Sequence, residues 1–297
     1  MTRLAVDLHI TAPVAIDATF NISGFTALLG RSGAGKTTIL KALAGLIPAS
    51  GAPFGALPAH QRHIGYLPQT ISLFPHLTAL ENTAYALRGA GRFTTARAML
   101  GELGLAALAD RPAPALSGGQ ASRIALARAL ASTPQMLLLD EPGAALDAPT
   151  RETILTWLID TLAARRIPAL AATHDPTIAG RADHLVLLAG GRIIAQGPPA
   201  QLYDQPGTAA AAQLLGFENI LNLAGALYAI RAADILIAAT GIPADIQAIR
   251  PHGAALHVTC TMPAPVVLHT RPDALYGRGV GERIHLVLPE AARKRLA

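Results

Sequence analysis

The sequence predicts an α/β fold, a parallel sheet flanked by helices, followed by a smaller β-rich appendage. Three observations carry this prediction. Gly30-Arg31-Ser32-Gly33-Ala34-Gly35-Lys36-Thr37 separates a short apolar run, Phe25 to Leu29, from a stretch with helical apolar spacing, Thr38 to Leu46. Met136-Leu137-Leu138-Leu139 is apolar on both faces, as a central parallel strand is, and ends on Asp140-Glu141-Pro142. After Gly216 the texture changes to short alternating runs such as Asp245 to Arg250 and Ile284 to Leu288, separated by turn residues.

The glycine-rich octapeptide fits the phosphate-loop pattern G-x-x-x-x-G-K-[ST] at every fixed position. Strand, glycine turn and helix together aim several backbone N–H groups at one point. The helix N-terminus adds about half a positive charge there. A nucleotide β-phosphate fits such a nest. Lys36 then reaches the β- and γ-oxygens, and the Thr37 hydroxyl ligates Mg²⁺. A glycine turn that bound nothing would need neither the lysine nor the threonine. The nucleotide-binding set is therefore Gly30, Arg31, Ser32, Gly33, Ala34, Gly35, Lys36, Thr37 and Thr38.

The rest of the chain is read in order. Residues 1–29 alternate apolar and polar, as strands leading into the loop do. Residues 51–58 are rich in glycine and proline, and Ile64 to Gln69 reads as a short strand ending on an amide. Thr78 to about Leu108 has helical spacing, as does Gln120 to Ala131 after the Ala113-Pro114-Ala115 break. A helix over 148–165 leads to the strand Ala169 to Ala172, which ends on Thr173-His174-Asp175. Asp140, Glu141 and His174 thus fall at strand C-termini, where open α/β sheets bind ligands. Two apolar runs around Gly190-Gly191 form a hairpin, and short helices follow near 201–203 and 209–215. The expected division is 1–216 and 217–297.

Composition narrows the function classes. The chain has 297 residues, 51% of them hydrophobic and only 14% charged, so a large core and a rather apolar, partner-covered surface are expected. The net charge of +5 admits nucleic acid or an anionic membrane face. The one Lys/Arg run, Arg293-Lys294-Arg295, reads as a solvated tail, so no nucleic-acid partner is expected. No apolar run reaches membrane-spanning length, because the best candidate, 224–242, carries Arg231 and Asp234. With Arg3 and Asp7 near the start, no signal peptide is expected. Cys260 is the only cysteine, which allows neither an internal disulfide nor a multi-cysteine metal site. The chain reads as cytoplasmic.

Taken together, residues 3–215 resemble the ATP-binding subunit of ABC transporters. The phosphate loop fits many nucleotidases, but Leu116-Ser117-Gly118-Gly119-Gln120 is similar to that family's signature sequence. Gln69 resembles its Q-loop glutamine, Leu146-Asp147 its D-loop and His174 its switch histidine, all in the family's order. The resemblance implies a phosphate-loop cassette with a parallel sheet core, an antiparallel β subdomain and a helical subdomain, followed by the small β-rich domain. It implies ATP and Mg²⁺, with Thr37, Asp140 and Gln69 at the metal and Glu141, His174 and Gln69 as the catalytic set. It also implies that Leu116, Ser117, Gly118, Gly119 and Gln120 act in trans, capping the γ-phosphate in a second copy of the cassette, with Asp147 in the D-loop.

The expected partners are that second copy, transmembrane permease subunits and, through them, an extracytoplasmic solute-binding protein. The expected place is the cytoplasmic face of the inner membrane, as a peripheral subunit. Leu73 to Thr78 and Gly191 to Gly197 resemble importer ATPases, and the compact cassette resembles those for molybdate. Importers of polyamine, thiamine, iron or sulfate, and a soluble ABC ATPase without a transport role, are the alternatives. A purely regulatory nucleotide binder would not need Lys36, Asp140, Glu141 and His174 together.

Four departures from the family's pattern stand out. Ala121-Ser122-Arg123 follows the signature where a more polar stretch is usual. The segment 51–64 is short. Gly143-Ala144-Ala145 replaces a bulkier and stiffer turn, and about 80 residues is short for two barrel repeats. For the base, no Phe, Tyr or Trp occurs before Phe20, and His9, read as a strand-edge polar residue, is the only other ring in the region.

Overall fold

The computed structural model describes residues 3–297. Residues 1 and 2, included in the first predicted strand region, lie outside the described residues. By internal contacts the chain forms two compact units, one ending at Pro199 and the other running Ala200–Ala297.

The first unit runs β1 (Arg3–Ile10), β2 (Ile16–Ser23), β3 (Phe25–Leu29), α1 (Lys36–Ala44), β4 (Ser50–Ala52), β5 (Ile64–Leu67), α2 (Ala79–Ala84), α3 (Arg92–Glu102), α4 (Gly118–Ala131), β6 (Met136–Asp140), α5 (Ala148–Arg165), β7 (Ala169–Thr173), α6 (Pro176–Gly180), β8 (His184–Ala189) and β9 (Arg192–Gly197). Its strands form one nine-stranded sheet in the order β4-β1-β2-β9-β8-β3-β7-β6-β5. From β8 through β5 the neighbours are parallel. β4, β1 and β2 pair antiparallel at the other side, as β9 does with β8. The parallel core and the antiparallel part are thus one continuous sheet.

The physical reason is burial on both faces. Every residue of β3, β6 and β7 is buried, so these strands take the centre. β1 and β2 alternate buried and exposed, so they suit a sheet with one wet face. The core under α1 joins Ile39, Leu40 and Leu43 to Phe20, Ile22, Leu138 and Leu170. The short segment 51–64 still contributes β4, which adds to the edge of β1.

One predicted helix breaks. The stretch 78–108 is two helices, α2 and α3, parted by Arg88-Gly89-Ala90-Gly91, with Gly89 at φ 84. α2 already stops at Ala84 with a right-handed cap at Tyr85, and the left-handed Gly89 lies in the link that follows, so apolar spacing across 85–91 does not mean a continuous helix.

The second unit runs α7 (Pro199–Asp204), whose first residue closes the first unit, then α8 (Ala209–Leu214), β10 (Asn219–Leu223), β11 (Ala226–Ile230), β12 (Leu236–Ala238), β13 (Ile242–His252), β14 (Ala255–Met262), β15 (Ala264–Thr270), β16 (Arg283–Val287) and β17 (Lys294–Arg295). Its sheets are β10-β11-β17 and β12-β16-β13-β14-β15. It begins ahead of the expected 216/217 division, so both short helices fall within it. Local contacts explain this. Arg231 lies between the rings of Tyr203 and Phe217, and Lys294 meets Asp204 at 2.6 Å. The Arg293–Arg295 run is therefore not a free basic tail, since Lys294 and Arg295 form a strand against β11. A separate core of Leu221, Ile230, Ile246, Val258, Ile284 and Leu286 holds the unit together. Cys260 lies inside it, where burial pushes the thiol up to about 11 and leaves it unreactive.

Asn219 stitches the two small sheets together. Its side chain is buried, donates to Ile230 O at 3.3 Å and Val267 O at 2.8 Å, and accepts from Val267 N at 2.7 Å. Removing it orphans backbone groups that water cannot reach. Asn219→Ala is expected to destabilise this unit by about 2–3 kcal/mol, seen as an earlier unfolding transition in urea; an unchanged midpoint would show the stitch to be dispensable.

Candidate functional site

The ends of β3, β6 and β7 meet the N-terminus of α1, and the loop glycines make that meeting possible. Gly35 caps α1 at φ 104, and a Cβ there would lie 2.5 Å from Ile16 Cδ1. At Gly30 a Cβ would lie 2.7 Å from the carbonyl oxygen of Leu188. Only glycine fits either place. The Gly30 amide donates to Thr173 O at 3.2 Å, which ties the loop to the end of β7.

Lys36 is buried and folds back into its own loop. Its Nζ donates to Gly30 O at 2.8 Å and Arg31 O at 3.3 Å and lies 3.7 Å from Glu141 Oε1. The Thr37 hydroxyl donates to Asp140 Oδ1 at 3.1 Å. Asp140 is 2% exposed, and burial is the largest cause raising its carboxyl above the usual range, offset in part by the Thr37 hydrogen bond. A buried carboxylate and a hydroxyl at the mouth of a phosphate nest are hard oxygen donors. They fit a hard divalent cation, which would also relieve the desolvation cost at Asp140.

Glu141 stands beside this pair with a left-handed backbone at φ 52. A glutamate there stores about 1–3 kcal/mol of strain. The amide of Glu141 donates to Ala172 O at 2.9 Å, which holds the turn. The side chain, 11% exposed, has Oε1 2.9 Å from His174 Nδ1 and Oε2 3.4 Å from the Thr173 hydroxyl. The structure therefore brings together the phosphate loop through Thr38, Asp140, Glu141 and His174.

The remaining predicted residues stand outside this hydrogen-bonded group. Gln69 is exposed in the bend after β5. Ser117 caps α4, accepting from Gln120 N at 3.3 Å while Gln120 Oε1 accepts from Ser117 N at 3.0 Å. This capping box leaves Ser117 and Gly118 exposed at a helix N-terminus, an anion-favouring position. Leu116 and Gly119 flank them, half-buried. Asp147 caps α5 by accepting from Thr150 N at 3.3 Å, and that bond holds its carboxyl below the usual range.

Sequence reasoning gave no role to Arg151 or Thr173. Arg151 donates to Gly143 O at 3.1 Å and Leu146 O at 3.0 Å and lies 4.0 Å from Asp175. The weak Gly143-Ala144-Ala145 turn is thereby stiffened from the next helix. The available signal was spacing, since Arg151 lies four residues after the Asp147 cap, on the turn facing the loop.

A family model described as ABC transporter matches residues 15–144. The Fe(3+) ions import ATP-binding protein FbpC of Streptomyces coelicolor is 36% identical over 285 residues, covering 89% of this chain and 79% of that protein. The chain belongs to the ABC transporter family. Another member, the molybdenum import ATP-binding protein ModC of Albidiferax ferrireducens, is 42% identical over 217 residues, 67% of this chain and 56% of that protein. The chain thus spans little more than half the length of that molybdenum relative. A solved ABC cassette, MJ0796, described as dimeric, post-hydrolysis and bound to ADP and Pi, aligns with a TM-score of 0.56 at 27% identity over 66% of this chain and 96% of that one. Among the described residues, no helix is long and apolar enough to cross a membrane.

The base region lacks an aromatic platform. Phe20 is 1% exposed. His9 is tied edge-on across the β1–β2 pair, with Nδ1 2.8 Å from Asp17 Oδ1 and Nε2 3.8 Å from Asp7 Oδ2. The bond to Asp17 raises its pKa above the usual imidazole value. Without a stacking ring, phosphate contacts dominate affinity, and these are the same in ATP and GTP. Competition between the two nucleotides is expected to show discrimination within about tenfold, or about 1.4 kcal/mol. A preference of about a hundredfold would mean that a ring reads the base.

Proposed function

We propose that this chain is the ATP-hydrolysing subunit of an ABC importer, acting as a dimer of cassettes bound to permease subunits at the cytoplasmic face of the membrane. The observation that carries this reading is the convergence of Lys36, the Thr37–Asp140 pair and the Glu141–His174 pair on one phosphate nest.

In this reading the nest and Lys36 hold the β- and γ-phosphates. Thr37, Asp140 and Gln69 would hold Mg²⁺, which would supply charge neutralisation when bound. Glu141 takes a proton from the water that attacks the γ-phosphorus as the bond to the bridging oxygen breaks. His174, which rests against Glu141, donates to the γ-phosphate once nucleotide is bound. Ser117 to Gly119, at the N-terminus of α4 with Ser117 and Gly118 exposed, cap the phosphate of the second copy, and Asp147 lies between the two sites. A solute-binding protein delivers cargo to the permease from the far side.

Molybdate is the cargo we favour, because molybdenum import relatives match at up to 42% identity, as over 217 residues in Albidiferax ferrireducens. Length favours a second reading. A sulfate/thiosulfate import protein, CysA 1 of Chromobacterium violaceum, is 38% identical over 94% of this chain and 80% of its own length. Sulfate and molybdate are both tetrahedral dianions, so either cargo makes this an oxyanion importer.

Glu141→Gln is expected to keep nucleotide binding and lose turnover by about 10²–10⁴-fold, measured as phosphate release at saturating ATP. A loss below about tenfold would remove Glu141 from the proton transfer. Lys36→Ala is expected to weaken nucleotide binding by at least about tenfold in a fluorescence titration, and unchanged affinity would refute the phosphate-loop assignment.

A further inference from the structure

Among the described residues, two buried polar atoms at the proposed metal carboxylate have no hydrogen-bond partner: the Tyr66 hydroxyl oxygen and Asp140 Oδ2. One can donate and the other accepts. Tyr66 has no role so far, and Asp140 meets Thr37 through Oδ1, which leaves Oδ2 unengaged.

The sheet puts them together. β5 runs parallel to β6 with Tyr66 opposite Leu138. Tyr66 and Leu138 both belong to the core under α1, so both point to that face. Asp140 lies two residues beyond Leu138, and side chains two apart on a strand share a face. Its contact with Thr37 of α1 confirms the face. The two residues are therefore separated by about 7 Å along the strands and about 5 Å across them. Strand side chains lean along the strand, and a phenol is long enough to close most of that gap. The carboxylate is felt at the phenol: burial pushes Tyr66 up to about 12, and the negative charge of Asp140 adds to the rise.

We propose that Tyr66 is a positioning residue for Asp140. Its phenol donates through a single bridging water to Asp140 Oδ2, which fixes the carboxylate plane and leaves Oδ1 facing Thr37 and the metal. This rests on the reading of Asp140 as a metal ligand given above. Outer-shell donors of this kind orient a metal carboxylate and govern how strongly it holds the ion. Tyr66 also stands three residues before Gln69 on the same strand and loop, so one short segment carries both the support for Asp140 and the amide expected near the metal.

The test is Tyr66→Phe in the full chain, with ATP affinity measured once with Mg²⁺ and once with EDTA. The Mg²⁺-dependent gain in affinity is expected to fall by about tenfold or more, while affinity in EDTA stays within about twofold of wild type. The unfolding midpoint without metal should hold or rise, since an apolar edge replaces a hydroxyl that no chain atom partners. An undiminished Mg²⁺-dependent gain overturns the proposal, as does an equal loss in both arms, which would mark a packing role. If the Phe variant does not fold, Tyr66→Met is judged by the same two arms. A wild-type protein with no Mg²⁺-dependent gain would instead overturn the metal role of Asp140, and the role of Tyr66 with it.

Discussion

The arrangement depends on keeping one ammonium and two carboxylates out of water at the ends of three strands. Lys36 is 7% exposed and Asp140 2%. Burying such charges is costly unless each is answered by an opposite charge or a dipole. Lys36 is answered by two loop carbonyls and Glu141, Asp140 by the Thr37 hydroxyl, and Glu141 by Lys36, His174 and Thr173. The sheet order follows from this need. β3, β7 and β6 must be neighbours, because the charges that answer one another lie at their C-terminal ends.

The compensation is incomplete within the chain, and that gives the site its chemistry. Two negative charges face one positive one, and the most buried carboxylate titrates high, chiefly because it is buried and in smaller part because Glu141 stands beside it. In the proposed reading, a nucleotide arriving with its cation would supply both the missing positive charge and an anion for Lys36. Glu141 is kept in a costly backbone conformation beside this pair. The turn that imposes the cost also delivers its carboxylate to His174 across the gap between β6 and β7.

Much of this was legible in the amino-acid order because the determinants are local. A phosphate loop needs specific residues at specific offsets, and all-apolar runs such as Met136–Leu139 can be buried only as central strands. What escaped the sequence was non-local or conformational. The link at 85–91, with the left-handed Gly89 in it, interrupts a helix-like apolar pattern that runs across both α2 and α3. The second unit starts at Ala200 because Tyr203 and Asp204 find Arg231 and Lys294, which lie far along the chain. Tyr66 reads as one more apolar strand position until β5 is laid beside β6. Gln69, the Ser117 cap and Asp147 are legible as motifs, yet a single chain gives them no common target.

Arg151 has a consequence for how such a loop can change over time. Gly143 sits at φ 94, and a Cβ there would lie 2.8 Å from Arg151 Cγ. The guanidinium in turn depends on the Gly143 and Leu146 carbonyls staying where that glycine leaves them. Neither position can drift alone: a side chain at 143 evicts the arginine, and a shorter residue at 151 leaves a flexible turn unsupported. The two positions are therefore physically linked, and a chain that stiffened the turn with a bulkier residue would at the same step no longer need the arginine.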